Sequence, residues 1–149
     1  MSFTFSESDE QKLKTCHPRL VTVLRESIKF IDFTIVYGIR GKELQDLLFL
    51  DKKSKVKFPD SKHNRTLDPL MGAIEYTLSD AADIVPRHSL YKDVEAMCFL
   101  IGYVKGISVK MGIPLRIGYD FNGNGINGRA DNEFYDVAHI ELDKRNWAK

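Results

Sequence analysis

Two short polar segments, about half the chain apart, place the strongest demand on how this sequence can fold. Ser61-Lys62-His63-Asn64-Arg65-Thr66 carries one histidine. Asp136-Val137-Ala138-His139-Ile140-Glu141-Leu142 carries another, with a carboxylate three residues before it. Two histidines from distant segments, accompanied by carboxylates, are the parts of a catalytic zinc site, provided the fold joins them and a third ligand completes the set. In a strand, Val137, His139 and Glu141 share one face, and Asp136 can bend back toward His139 to act as a base and then as an acid. Ser61, Asn64 and Thr66 offer the hydrogen bonds that would fix the His63 ring.

Two residues compete to be the third ligand. Asp83 stands inside Ala81-Ala82-Asp83-Ile84-Val85, where a lone carboxylate is costly unless it binds a metal or pairs, for example with an arginine. Asp68 is nearer His63, although Asp68-Pro69 also reads as a turn pair.

The rest of the pattern describes the scaffold. Acidic residues precede basic ones across residues 6–14, which suits a short helix and its dipole. Pro18 opens a second helix with Leu20, Val23, Leu24, Ile28 and Ile31 inward. Residues 32–38 read as a strand, and 41–50 as a short helix with Leu44, Leu47 and Leu48 inward. The Lys-rich stretch 51–60 reads as a solvated loop. Residues 64–79 carry no clear period, and 80–85 read as a buried strand stopped by Pro86. Ser89 is placed to cap a long helix from Leu90 to Met111, ended by Gly112, with Gly102 and Gly106 suited to a close backbone approach. Strands at 114–118 and 135–142 follow. With 149 residues and no repeat or linker, this order predicts one α+β domain, a small, mainly antiparallel sheet with helices packed on one face. The motifs lie within residues 33–142.

Composition narrows the partners. A net charge of +1 gives no electrostatic case for nucleic acid or a membrane surface. The start of the chain is polar, without the apolar run of a signal peptide. No apolar stretch of about 20 residues is present to span a bilayer. Cys16 and Cys98 are too few and too far apart for a disulfide framework and read as buried thiols.

At this point the motifs resemble a known family. Ser61-Lys62-His63, followed by Ala81-Ala82-Asp83 and Pro86, is similar to the SxH…AxD…P signature of phage L-alanyl-D-glutamate peptidases, within the D-Ala-D-Ala metallopeptidase superfamily. Gly38-Ile39-Arg40 with Gln45 resembles that family's GxR…Q segment, and residues 135–142 resemble its DxxHxEL. The resemblance implies zinc ligands at His63, Asp83 and His139 and a catalytic carboxylate at Asp136. It further implies substrate binding by Arg40 and Gln45, and support from Ser61. The implied reaction is hydrolysis of a peptidoglycan stem-peptide amide for host lysis, by an enzyme held in the host cytoplasm or in the virion with other virion proteins as partners. Residues 64–79 depart from the shorter family pattern. They are expected either to form a flap beside the substrate groove or to displace Asp83, leaving Asp68 as ligand. In the second case the chain would be an inactive virion or wall-binding relative.

A second pattern lies in residues 120–131, Asp-Phe-Asn-Gly-Asn-Gly-Ile-Asn-Gly-Arg-Ala-Asp. It matches a calcium loop in which Asp120, Asn122, Asn124 and Asp131 supply oxygens and Gly125 makes the turn. The loop leads into Asp136, so calcium there would order the catalytic segment. A flexible Asn-Gly turn fits the same residues.

Overall fold

The helices form where the sequence marks their ends. Ser6 opens α1 (Glu7–Leu13) with a reciprocal cap. Its hydroxyl accepts from the Asp9 N–H, and the Asp9 carboxylate accepts from the Ser6 N–H, both at 3.1 Å. Such a cap contributes about 1 kcal/mol. Pro18 begins α2 (Pro18–Ile28), whose Leu20, Val23 and Leu24 are fully buried, each stabilising the fold by about 2 kcal/mol. The computed structural model describes residues 2–68, 73–145 and 147, and of Asp68 the backbone alone.

Four strands make the main sheet, in the order β1-β4-β6-β5: β1 (Phe33–Tyr37), β4 (Ala81–Pro86), β5 (Leu115–Ile117) and β6 (His139–Leu142). Every pairing is antiparallel. Side chains alternate between the faces. Ile35, Ile84, Ala82, Ile140 and Leu142 lie on one side and join the core with α2 and α4 (Val94–Met111). Asp83, His139, Glu141 and Arg116 take the other side. Asp83 pairs directly with His139, and Arg116 with Glu141. In β1 the register slips between Ile35 and Tyr37, so Tyr37 rather than Val36 stands opposite Asp83. This bulge turns the end of β1, and Arg40 beyond it, toward the polar face.

Several expectations are corrected. The long helix starts at Val94, and Asp93 is its cap, accepting from the Ala96 N–H at 2.9 Å. Ser89 and Leu90 belong to the turn leaving β4, where the Leu90 N–H donates to the Pro86 carbonyl and Leu90 takes φ 54°. Gly112 ends the helix in the left-handed region. Gly102 and Gly106 are exposed, and a Cβ on either would meet nothing within 4 Å, so no backbone approaches there. In α3 (Lys42–Leu50), Leu47 is 54% exposed and Gln45 is fully buried instead. That helix covers a polar loop, not the apolar core. The last strand is shorter than expected, because the His139 N–H donates to the Asp136 carbonyl in a turn before β6. Residues 64–79 include an antiparallel pair, β2 (Thr66–Asp68) and β3 (Ala73–Glu75). Pro69, in the expected Asp68-Pro69 turn, lies outside the described residues. Trp147 folds back against His17, with ring centroids 5.5 Å apart, and lies under Arg19.

Candidate metal centre

His63 is clamped from both sides. Its own N–H donates to the Ser61 hydroxyl at 3.2 Å, and its carbonyl accepts from the Arg40 N–H at 2.7 Å. Asn64 completes the turn by accepting from the Ser61 N–H and donating to the Arg40 carbonyl. The ring Nδ1 lies 2.8 Å from the Gly38 carbonyl. A carbonyl can only accept, so Nδ1 carries the proton and Nε2 presents a lone pair. Gly38 has to lack a side chain here, since a Cβ would fall 2.4 Å from the Thr15 hydroxyl and 2.8 Å from the Lys12 carbonyl.

His139 is oriented by the mirror arrangement. Its Nε2 donates to Glu141 at 2.8 Å, which leaves Nδ1 as the free lone pair. Arg116 holds the other Glu141 oxygen at 3.0 Å. Burial alone would raise the Glu141 acid, but His139 and Arg116 keep it below its ordinary value.

Between the two rings lies Asp83, 4% exposed. One oxygen pairs with Arg40. The other, Oδ1, is 3.2 Å from His63 Nε2 and 3.3 Å from His139 Nδ1, and the two nitrogens are 3.2 Å apart. Ligands about 2.0–2.1 Å from a tetrahedral zinc stand about 3.3 Å from one another, so the triangle has the edge length zinc requires. Its electronic demand agrees. Three acceptor atoms converge with no proton left to share once the outer nitrogens have donated to Gly38 and Glu141, and a cation resolves that repulsion. Without a metal a proton takes this place: burial disfavours a charged His139, yet Asp83 and Glu141 raise it to about 9. Burial lowers His63 in turn. Asp83 stays well below its usual range despite burial because both rings and their charges favour the carboxylate. Among the described residues, this is the one group of His, Cys, Asp or Glu arranged to hold a metal ion.

Two of the three, His63 and His139, line a cavity of ≈ 350 Å³ that Asp136 also lines. Burial raises the Asp136 acid, and the Asp83 charge raises it further, toward the range of a proton-transfer group. Its position is set by the backbone, through an N–H bond to the Gly118 carbonyl at 2.8 Å. A Cβ on Gly118 would meet the Asp136 carbonyl oxygen at 1.8 Å.

Arg40 reaches the cavity, but its guanidinium is engaged by Asp83 and packs 4.7 Å from the Tyr37 ring. Gln45 does not line the cavity. Its amide is buried and donates to the Ser54 hydroxyl (2.8 Å) and the Val56 carbonyl (2.7 Å), while accepting from Asn64 (3.3 Å). No described residue of 64–79 lines the cavity, so the expected flap is not found among the described residues, and Asp83 keeps its place between His63 and His139. Thr66 instead donates to Asp80 at 2.6 Å, beside Lys144. The side chain of Asp68 lies outside the described residues.

Residues to which the sequence reading gave no role act beside the triad. Glu141 and Arg116 were legible as alternating partners of His139 and its neighbour strand. Tyr91 had no such signal; burial pushes its phenol up to about 12, and the charges of Asp83 and Asp136 add to the rise. In the loop of residues 120–131, the Asp120 carboxylate accepts from the N–H groups of Gly123, Asn124 and Gly125, and Asn122 and Asn124 donate to Asp131. The base of this loop is closed by Phe121 stacked on Phe134 at 5.4 Å, and Phe121 touches the His139 ring at 5.5 Å.

The chain is similar to known proteins over nearly its whole length. The family model for phage L-alanyl-D-glutamate peptidase matches residues 1–143. The L-alanyl-D-glutamate peptidase of Escherichia phage T5 is 29% identical over 145 residues, covering 95% of this chain and 99% of its own. The crystal structure of the Serratia marcescens L-Ala D-Glu endopeptidase ChiX shares the fold, with a TM-score of 0.67 over 97% of this chain and 93% of that one, at 20% identity.

Proposed function

The chain belongs to the phage L-alanyl-D-glutamate peptidase family, and from that membership we propose that it is a zinc-dependent peptidoglycan peptidase that cleaves the L-alanyl-D-glutamate amide of the stem peptide in host lysis. The observation that carries the metal assignment is the triangle of His63 Nε2, Asp83 Oδ1 and His139 Nδ1, with edges of 3.2 and 3.3 Å and no proton of its own once the outer nitrogens have donated. Zinc held there supplies the Lewis acidity that polarises an amide carbonyl and makes water a nucleophile at neutral pH. Asp136 takes the proton from the attacking water and delivers it to the leaving amine, a task suited by its pKa, which burial and then the Asp83 charge raise above the ordinary carboxylate value. Arg40 fixes the Asp83 carboxylate so that its second oxygen faces the rings. Glu141 and the Gly38 carbonyl fix the tautomers. Among the described residues no helix is long and apolar enough to cross a membrane. The enzyme would meet the wall from the host cytoplasm at lysis or as part of the virion.

The test is zinc content and peptidoglycan cleavage on the same preparation. The reading expects about one zinc per chain and release of new amino groups, both lost in His139→Ala. Retention of less than about a tenth of an equivalent after zinc supplementation would overturn it.

Calcium at Asp120, Asn122, Asn124 and Asp131 is a second element of the proposal. It is favoured by the contact from Phe121 to His139, through which an ordered loop would steady a metal ligand. Calcium that changed neither activity nor melting temperature would remove it.

A further inference from the structure

The family's carboxylate-binding position, Arg40, is engaged in this chain by Asp83, and the other cavity arginine, Arg116, is held by Glu141 and the Phe121 carbonyl. Arg116 is thus fully committed, while Arg40 keeps one donor, its buried Nε, without a partner, and neither guanidinium presents an open fork to a substrate carboxylate. Three further ammonium-bearing side chains line the same cavity: Lys53, Lys55 and Lys62. Among the described residues none of the three has an ion pair or a side-chain hydrogen bond. Lys55 reaches toward the opposite wall, with its Nζ 5.4 Å from the Phe134 ring centre. The loop that bears Lys53 and Lys55 is not loose. The buried Gln45 amide grips it at Ser54 and Val56, on either side of Lys55. Asp46 also accepts from the Phe58 N–H at 3.1 Å. The acids that line the cavity are Asp60, Asp136 and Glu141; Glu141 is held by His139 and Arg116, and the Lys62 charge favours its carboxylate as well.

Resting on the peptidase reading, we propose that Lys53, Lys55 and Lys62 form a subsite for the free carboxylate of the D-glutamyl residue beside the scissile amide. A glutamyl residue has two carboxyl groups and the chain can continue through only one of them. Unless it is amidated, the other remains an anion within a side chain's length of the bond to be cut. An anion at that place faces three exposed cations of one cavity, none of them in a hydrogen-bonded ion pair among the described residues. Gln45, which does not itself line the cavity, is then a positioning residue that sets where two of the lysines stand.

The experiment compares two synthetic stem peptides, one carrying D-glutamate with its carboxylate free and one carrying the corresponding carboxamide. Each exposed ion pair contributes a few-fold at most, so three acting on one carboxylate predict about a tenfold preference in kcat/KM for the acid. The preference should reside mainly in KM. In the triple variant Lys53→Gln, Lys55→Gln, Lys62→Gln the ratio should fall to within about twofold of unity, and Lys→Arg at the same positions should restore it. Binding of the two amine products to the protein gives the same ratio without turnover. Equal cleavage of both peptides by the native enzyme, or an unchanged ratio in the triple variant, overturns the subsite and leaves the peptidase reading standing. Cleavage of neither peptide, with metal bound, overturns both.

Discussion

Two buried aspartates, each paired with an arginine, do opposite work in this molecule. Asp9, fully buried, accepts from the Ser6 N–H and hydroxyl, the Thr34 hydroxyl, the Ile35 N–H and Arg87. Every neighbour is a donor, so the carboxylate is saturated and ties α1 to β1. Asp83 has one donor, Arg40, and turns its other oxygen toward two nitrogen lone pairs. A buried carboxylate among donors is complete as it stands. A buried carboxylate among acceptors requires a cation to complete it.

The comparison can be broken most forcefully at Asp83. Asp83→Ala should abolish zinc retention and lower kcat/KM by at least about a thousandfold, with the fold kept, as read by metal analysis, turnover and circular dichroism. Metal retained at the native level would mean that Asp83 is a second Asp9. The reciprocal change, Asp9→Ala, should cost about 3 kcal/mol in denaturant unfolding because it strands Arg87 and several donors. Zinc stoichiometry should not change. A smaller effect tests the orientation of the rings: Glu141→Gln should weaken zinc binding about 10- to 100-fold in a chelator competition, with little loss of stability.

The smallest effect is the acid limb of stability. Burial opposes the charged form of Asp9, but hydrogen bonds from Thr34, Ile35 and Ser6 outweigh it and lower its pKa from 3.8 to about 2. A group lowered on folding contributes stability that is present above its unfolded pKa and lost as pH falls through its folded one. Unfolding midpoints measured between pH 4 and 2 should therefore decline more steeply in the native chain than in Asp9→Asn. Parallel profiles would show that the Asp9 charge adds nothing.

Sequence reasoning succeeded where a local rule was sufficient. The Pro18 start, the Gly112 stop and the β1 and β4 strands follow from single residues or short periods. It failed where two segments compete for one role. Ser89 and Asp93 are equally good caps in isolation, and the turn through Leu90 decides between them. For the site, residue type and motif order pointed to His63, Asp83, His139 and Asp136; the fold brings the first three together, and His63, His139 and Asp136 line one cavity. The partners were less visible, because a pairing such as Arg40 with Asp83 depends on the sheet register. The same holds for the lysines at 53 and 55. Their sequence reads as solvated surface, and only the grip of Gln45, from a helix face expected to be apolar, brings them to the cavity.

The slipped register in β1 sets a rule for how this chain tolerates change in length. Residues 64–79 are accommodated with β2 paired to β3, and none of the described ones lines the cavity. One residue added to or removed from β1 after Ile35 would be a different event, since a strand repeats every two residues and a single step exchanges its faces. Tyr37 and Arg40 would then be directed into the apolar layer, and Asp83 would lose its sole donor. Insertional mutagenesis should thus find the long connection permissive and the five-residue strand intolerant, a map of permitted lengths fixed by the parity of β1.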